Sequence, residues 1–241
     1  MGEQPGAWQV VGRPRPVAPC RWELDPDRAD EDGVVGVGAD LDVATLVAAY
    51  HRGIFPWPHA DMPLLWFSPD PRAVLAPHAF HVSRSLRRTL LGSGWTATVD
   101  LAPDRVIEAC AQRSEGTWIT PEMRDAYREL AALGWVRSVE VWDADELIGG
   151  VYGVQIGSIL TGESMFHRRP DASKVALLDL SRRFAEVGGR LIDVQLPTDH
   201  LRSLGAVEVP RSEFLRLLSR SASEECLMRS DRLPVSRLAA V

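Results

Sequence analysis

Two carboxylates and an amide flank one helical stretch, Gly162 to Gln195, which reads GESMFHRRPDASKVALLDLSRRFAEVGGRLIDVQ. Glu163 stands on one expected strand, and Asp193 stands inside the next. Strand positions two apart face the same way, so Asp193 and Gln195 are expected to share a face and to aim an acid and an amide at one place. A surface strand with outward polar positions fits the same pattern, and spacing alone leaves both readings open.

The other reactive residues form no recognisable constellation. His51, His59, His78, His81, His167 and His200 show no HExxH and no paired carboxylates, and GxSxG is absent, so neither a metal site nor a Ser-His-Asp hydrolase is expected. Cys20, Cys110 and Cys226 are odd in number and lack CxxC spacing, which points to a reducing compartment. Arg84, Arg87 and Arg88 lie at i, i+3 and i+4 and share a face if helical, either as a solvated face or as a phosphate contact. All but one of the 27 basic residues are arginine, and Lys174 is the single lysine. A retained lysine either supplies a compact ammonium where a planar fork would not serve or survives by chance.

The elements that must position these groups follow from pattern and punctuation. Residues 1 to about 20 are rich in Pro and Gly and read as an irregular arm, and the Gly-rich run at 32–42 lacks GxGxxG order and reads as turns. VATLVAAYHRG forms a helix capped by Asp42. The segment 54–72 carries Phe55, Trp57, Trp66 and Phe67 among prolines too frequent for a helix or a central strand, and is expected to be a loop, either packed as a hinge or walling a pocket. From residue 95 the order becomes β-α-α-β-β-β-α-β-α-β: a strand at 95–100, helices at 103–113 and 121–134, three strands to Phe166, the long helix from Asp171, the strand RLIDVQL, the short helix TDHLRSLG and the strand AVEVP. The helix RSEFLRLL follows, and a polar tail beyond about residue 219 is expected to be loosely held. This is an α/β (α+β) layout with a mixed sheet.

Composition sets the outer limits. A chain of 241 residues with 45% hydrophobic residues can bury a sizeable core, and a net charge of −6 excludes a protein that coats nucleic acid non-specifically. No apolar run approaches a bilayer span and no signal-like segment opens the chain, so a cytoplasmic protein without membrane contact is expected.

The element order is similar to the GNAT-like acyltransferase fold, and the motifs are narrower. RGIFPW (52–57), WFSPDPRAVL (66–75), GTWIT (116–120), GGVYGVQIGSILTGESMF (149–166), ASK (172–174), LIDVQ (191–195) and SLGA (203–206) together resemble the leucyl/phenylalanyl-tRNA-protein transferase family. The resemblance runs from about residue 33 to 218 and implies a small N-terminal domain with its arm (1–69) before a GNAT-like aminoacyltransferase domain (70–241). It implies transfer of Leu or Phe, and less readily Met, from aminoacyl-tRNA to proteins with an N-terminal Arg or Lys in the N-degron pathway, by a monomer without cofactor or metal.

The resemblance also assigns residues. Asp193 corresponds to the acid that deprotonates or orients the attacking amine, Gln195 to the amide that orients reactants, and Glu163 to the other active-site carboxylate, suited to the acceptor's cationic side chain. Trp57 and Trp118 match the aromatic positions at the aminoacyl-adenosine end, while Ser164, Met165, Leu177 and Ile192 line the expected side-chain pocket. Arg84, Arg87 and Arg88 fall on the stretch linked to the tRNA acceptor stem, which stops short before the neutral TLLGSG. Thr198 departs from the Asn found in some members. An acyl-CoA-dependent N-acyltransferase is the rival enzyme, but MFHRRPDASK has no glycine for a pyrophosphate loop. A non-catalytic tRNA- or peptide-binding adaptor is the rival outside enzymes.

Overall fold

A computed structural model describes residues 10–58, 62–112 and 117–240. The first nine residues of the expected arm, His59, Arg113 at the end of the expected third helix, and Gly116 at the start of GTWIT lie outside the described residues.

The N-terminal third builds a small sheet. Strands β1 (Val34–Val37), β2 (Phe55–Trp57) and β3 (Leu65–Phe67) pair antiparallel in the order β1-β3-β2, with helix α1 (Val43–Tyr50) between the first two in sequence. Two expectations change here. The Gly-rich run contains β1, and the aromatic segment expected to be a loop forms β2 and β3, with Phe55 opposite Phe67 and Trp57 opposite Leu65. Proline is tolerated because β2 is an edge strand, where Pro56 need not donate to an outer neighbour.

The large sheet has eight strands. It adds β4 (Arg72–Leu75), β5 (Thr96–Val99), β6 (Val136–Asp143), β7 (Glu146–Ile156), β8 (Ile159–His167), β9 (Leu191–Gln195), β10 (Val207–Val209) and β11 (Leu233–Pro234), ordered β10-β4-β9-β8-β7-β6-β5-β11. Every neighbouring pair is antiparallel except β8 and β9, which the crossover helix α5 (Ala172–Glu186) makes parallel. The mixed sheet and the element order from residue 95 to Ser221 agree with the sequence reading. Strand β4 leaves no signal in the sequence, because four residues between prolines are too short to show alternation.

Alternation along the central strands divides the core. Val139, Val141, Ile148 and Val151 face α5 and α2 (Arg84–Gly92), whereas Val136, Trp142, Tyr152 and Val154 face α1, α3 (Pro103–Ala111), α4 (Pro121–Ala132) and α7 (Arg211–Ser221). Local chemistry fixes the helix ends. Thr120 caps α4 by accepting the Met123 N–H at 3.2 Å with Pro121 in the first turn, and Thr198 caps α6 (Asp199–Ser203) through the Leu201 N–H at 3.1 Å. No helix among the described residues is long and apolar enough to cross a membrane.

The tail also departs from expectation, being packed rather than loosely held. Helix α7 runs to Ser221, β11 pairs with β5 at the sheet edge, and Cys226, Met228, Val235, Leu238 and Ala239 are buried. The described part of the arm joins it there, the Val11 N–H donating to the Met228 carbonyl at 3.0 Å.

Candidate active site

The parallel pair holds for only three rungs. Ile159, Leu160 and Thr161 oppose Leu191, Ile192 and Asp193, and beyond them β8 and β9 run on without pairing to one another. Each strand carries an irregularity just past the last rung. Tyr152 opposes Ser164 while Gly153 opposes Gly162, which leaves Glu163 as an extra residue in β8. Ala73 opposes Gln195 while Val74 opposes Asp193, which leaves Val194 as an extra residue in β9. Bulges re-aim side chains. Here they bring the Gln195 Nε2 to donate to the Glu163 Oε1 at 3.1 Å.

The β9 bulge separates two residues that simple alternation puts together. Gln195 takes a left-handed conformation with φ of 65° and lines a cavity with Ile192 and Val194. The Asp193 side chain lies behind it, 0% exposed, so the expected shared face is not found. Its four acceptor positions are filled. Arg72 donates through Nε and Nη2 at 2.7 Å each, the Thr161 hydroxyl at 3.0 Å and the Gln195 backbone N–H at 3.0 Å. Phe55 and Phe214 cover the guanidinium at 4.8 and 4.6 Å, so the pair is a bidentate ion pair in an apolar box. Asp193 therefore holds the turn that presents Gln195.

Glu163 sits in a second buried network. Tyr127 donates to its Oε2 at 2.9 Å, and the Tyr50 hydroxyl meets that of Tyr127. With Tyr127 donating onward to the carboxylate, Tyr50 must donate to Tyr127, so the chain runs in one direction. Burial, reinforced by the charge of Asp193, pushes the Glu163 carboxyl up to about 7, against the pull of both tyrosines and Arg72. Burial and then the Glu163 charge raise both phenols, which keeps them protonated donors.

The cavity at the open end of the pair has a volume of about 290 Å³. Glu163, Ser164, Met165, Leu177, Ile192, Gln195 and Trp118 line it, all expected from the sequence. The buried Ser164 hydroxyl finds no hydrogen-bond partner among the described residues. A second cavity of about 170 Å³ shares Trp118, Val194, Gln195 and Thr198 with the first and adds Trp57 and Phe55. Arg84, Arg87 and Arg88 lie elsewhere, exposed on α2, and none has an ion-pair partner among the described residues. Arg72, Thr161, Tyr50 and Tyr127 were not singled out in the sequence. Buried tyrosines need partners for their hydroxyls, but at core-facing helical positions they read as ordinary core. Among the described residues no three His, Cys, Asp or Glu converge as metal ligands.

Fold and site set a carboxylate–amide pair beside a largely apolar cavity in a mixed α/β domain, and comparison with known proteins gives the class, an aminoacyltransferase. The family model "Leucyl/phenylalanyl-tRNA protein transferase" matches residues 74–219, and the model of that family's N-terminal domain matches residues 39–70. A leucyl/phenylalanyl-tRNA–protein transferase of Erwinia tasmaniensis is 49% identical over 208 residues, covering 83% of this chain and 90% of the relative. One from Anaeromyxobacter sp. strain K is 48% identical over 207 residues, covering 84% and 89%. Among solved structures, a GCN5-related N-acetyltransferase from Kribbella flavida is 14% identical with a TM-score of 0.37, covering 67% of this chain and 58% of that one, a likeness too slight to build on. The chain belongs to the leucyl/phenylalanyl-tRNA protein transferase family. It is an aminoacyltransferase that moves an aminoacyl group from tRNA to protein.

Proposed function

We propose that the chain transfers Leu or Phe, and less readily Met, from aminoacyl-tRNA to the N-terminal Arg or Lys of acceptor proteins, acting as a cytoplasmic monomer in N-degron marking. The observation that carries this reading is the Glu163–Gln195 contact at the mouth of an apolar cavity. Met165, Leu177 and Ile192 supply a surface for an aliphatic or aromatic side chain, and the Trp57–Trp118 cavity beside it suits the terminal adenine. An apolar pocket separates side chains by only about 1–3 kcal/mol per methylene, which accounts for mixed acceptance.

In the reaction the acceptor's α-amine attacks the ester carbonyl, a C–N bond forms, the C–O bond to the ribose breaks, and a proton passes from nitrogen to the departing ribose oxygen. The Gln195 amide group commits an N–H to Glu163, which leaves its carbonyl oxygen to accept from the amine and hold it in line. Asp193 acts through Gln195, since its own oxygens are occupied. Ionised Glu163 pairs with the acceptor's cationic side chain. The exposed, unpaired Arg84, Arg87 and Arg88 contact tRNA phosphates.

The test is transfer of labelled Leu from Leu-tRNA to an Arg-starting peptide, with a Glu-starting peptide as control. Transfer to the first alone is expected, and no transfer, or equal transfer to both, overturns the reading.

A further inference from the structure

A third cavity opens beside the other two. It encloses about 830 Å³ and shares Met165 and His200 with the acyl cavity, so the spaces adjoin along that wall. Its lining is of another kind: His167 from the end of β8, Arg168 from the turn that follows, Lys174 from the first turn of α5 and His200 from α6.

The cationic groups are held in place but not used up. Lys174, the chain's single lysine, donates to the Asp171 Oδ1 at 2.9 Å and keeps two further N–H groups, its side chain being 34% exposed. Asp171 is itself occupied on both oxygens, accepting the Thr89 hydroxyl on Oδ2 at 2.9 Å. Burial works against its charge, but the bonds from Lys174 and Thr89 hold its carboxyl below the usual range, so it stays ionised and anchors the ammonium. Arg168 places Nη1 on the Leu147 carbonyl at 3.1 Å, with its guanidinium 5.8 Å from the Phe166 ring centre. Burial, then the charges of Lys174 and His167, lower the pKa of His200, which leaves a neutral imidazole able to donate one N–H. The crevice thus holds one carboxylate against two permanent cations on a chain of net charge −6. Thr89 belongs to α2, so the bond to Asp171 ties the helix that carries the exposed arginines to the start of α5.

The geometry matches the branching of one molecule. The terminal ribose of an aminoacyl-tRNA carries, besides one free hydroxyl, three substituents: the acyl ester, the base and the 5′ phosphate. The acyl cavity has two neighbours, one aromatic and one cationic. We propose that the Lys174–Arg168 crevice binds the phosphodiester immediately 5′ of the terminal adenosine, so that the last nucleotide is gripped at its acyl group, base and phosphate together. This rests on the aminoacyl-tRNA reading above and extends it to an anionic subsite. A compact ammonium suits the place, because its free N–H groups can turn toward a phosphate while the third stays on Asp171. The track from there would lead onto α2.

The experiment compares two non-hydrolysable ligands by calorimetry: an amide-linked 3′-phenylalanylamino-adenosine, and the same compound extended by a 5′-linked cytidine through a phosphodiester. The extended ligand should bind the parent protein roughly tenfold more tightly, as one charge-assisted contact allows, with the ratio shrinking as KCl is raised. Lys174→Gln and Arg168→Gln should each bring the ratio toward one, and Lys174→Arg should restore part of it. Equal affinities in the parent protein overturn the phosphate site alone. A variant that weakens both ligands equally, with the ratio intact, also overturns it by showing a merely structural role. Failure of the nucleoside ligand itself to bind overturns the aminoacyl-adenosine reading on which the proposal stands.

Discussion

On the proposed reading, Glu163 is the residue whose state couples most directly to acceptor choice. Its carboxyl titrates near 7 because burial penalises the charge, so it passes from mostly neutral at pH 6 to mostly ionised at pH 8. Pairing with an Arg or Lys side chain needs the ionised form, and those side chains stay charged throughout that range. Affinity for an Arg-starting peptide should therefore rise with pH, by roughly tenfold between pH 6 and 8 when only the anion binds. The same titration on Glu163→Gln should lose that rise and keep only what the peptide's own amine contributes. A Glu163→Gln protein with the parent's pH dependence would remove the residue from acceptor recognition. At this scale the acid and amide at 163 and 195 were legible by type, but the facing of Asp193 was not. The extra residue Val194 carries no glycine or proline to announce a bulge, and period-two reasoning fails at any bulge. Nor could Arg72 be matched to Asp193 across 121 positions of sequence.

The elements carry the site through close approaches rather than through special residues at the site itself. Gly149 of β7 lets α5 lie against the sheet, since a Cβ there would stand 2.6 Å from the Cβ of Ala172 and 2.8 Å from its carbonyl carbon. Helix α5 brings Leu177 to the acyl cavity and Lys174 to the cationic one. Gly149→Ala must therefore push the start of α5 outward. A loss of about 1–3 kcal/mol in urea unfolding is expected, together with a raised KM for aminoacyl-tRNA. A variant as stable and as active as the parent would show that the helix is free to shift. Long elements such as α4, α5 and β7 are legible because one pattern persists over 11 to 15 residues. The short ones were not. Strands β1 to β4 span three or four residues each, and Pro56 reads as a breaker where it marks an edge strand.

Across the whole molecule, the C-terminal segment closes the sheet edge farthest in order from β10. Strand β11 covers β5, Val235 and Leu238 enter the α5 side of the core, and Asp231 and Arg237 complete the ion pairs around the buried Asp179–Arg183 pair. A chain ending at Glu224 exposes that core and leaves the Asp179–Arg183 pair incompletely paired. It should lose several kcal/mol or fail to unfold cooperatively, as read by urea-monitored tryptophan fluorescence. Parent-like unfolding would restore the loose tail that composition suggested. Polar residues between Cys226, Met228, Val235 and Leu238 hide their burial, because an irregular segment has no period to betray which side chains turn inward.

The two bulges have a further meaning when considered as a count. Glu163 and Val194 are each one residue more than a regular ladder requires, and the site exists because both strands are one too long at the same level of the sheet. Phase, then, is conveyed by number as much as by identity. A chain shortened by the single residue Val194 would keep Glu163, Asp193 and Gln195 and set them out of step.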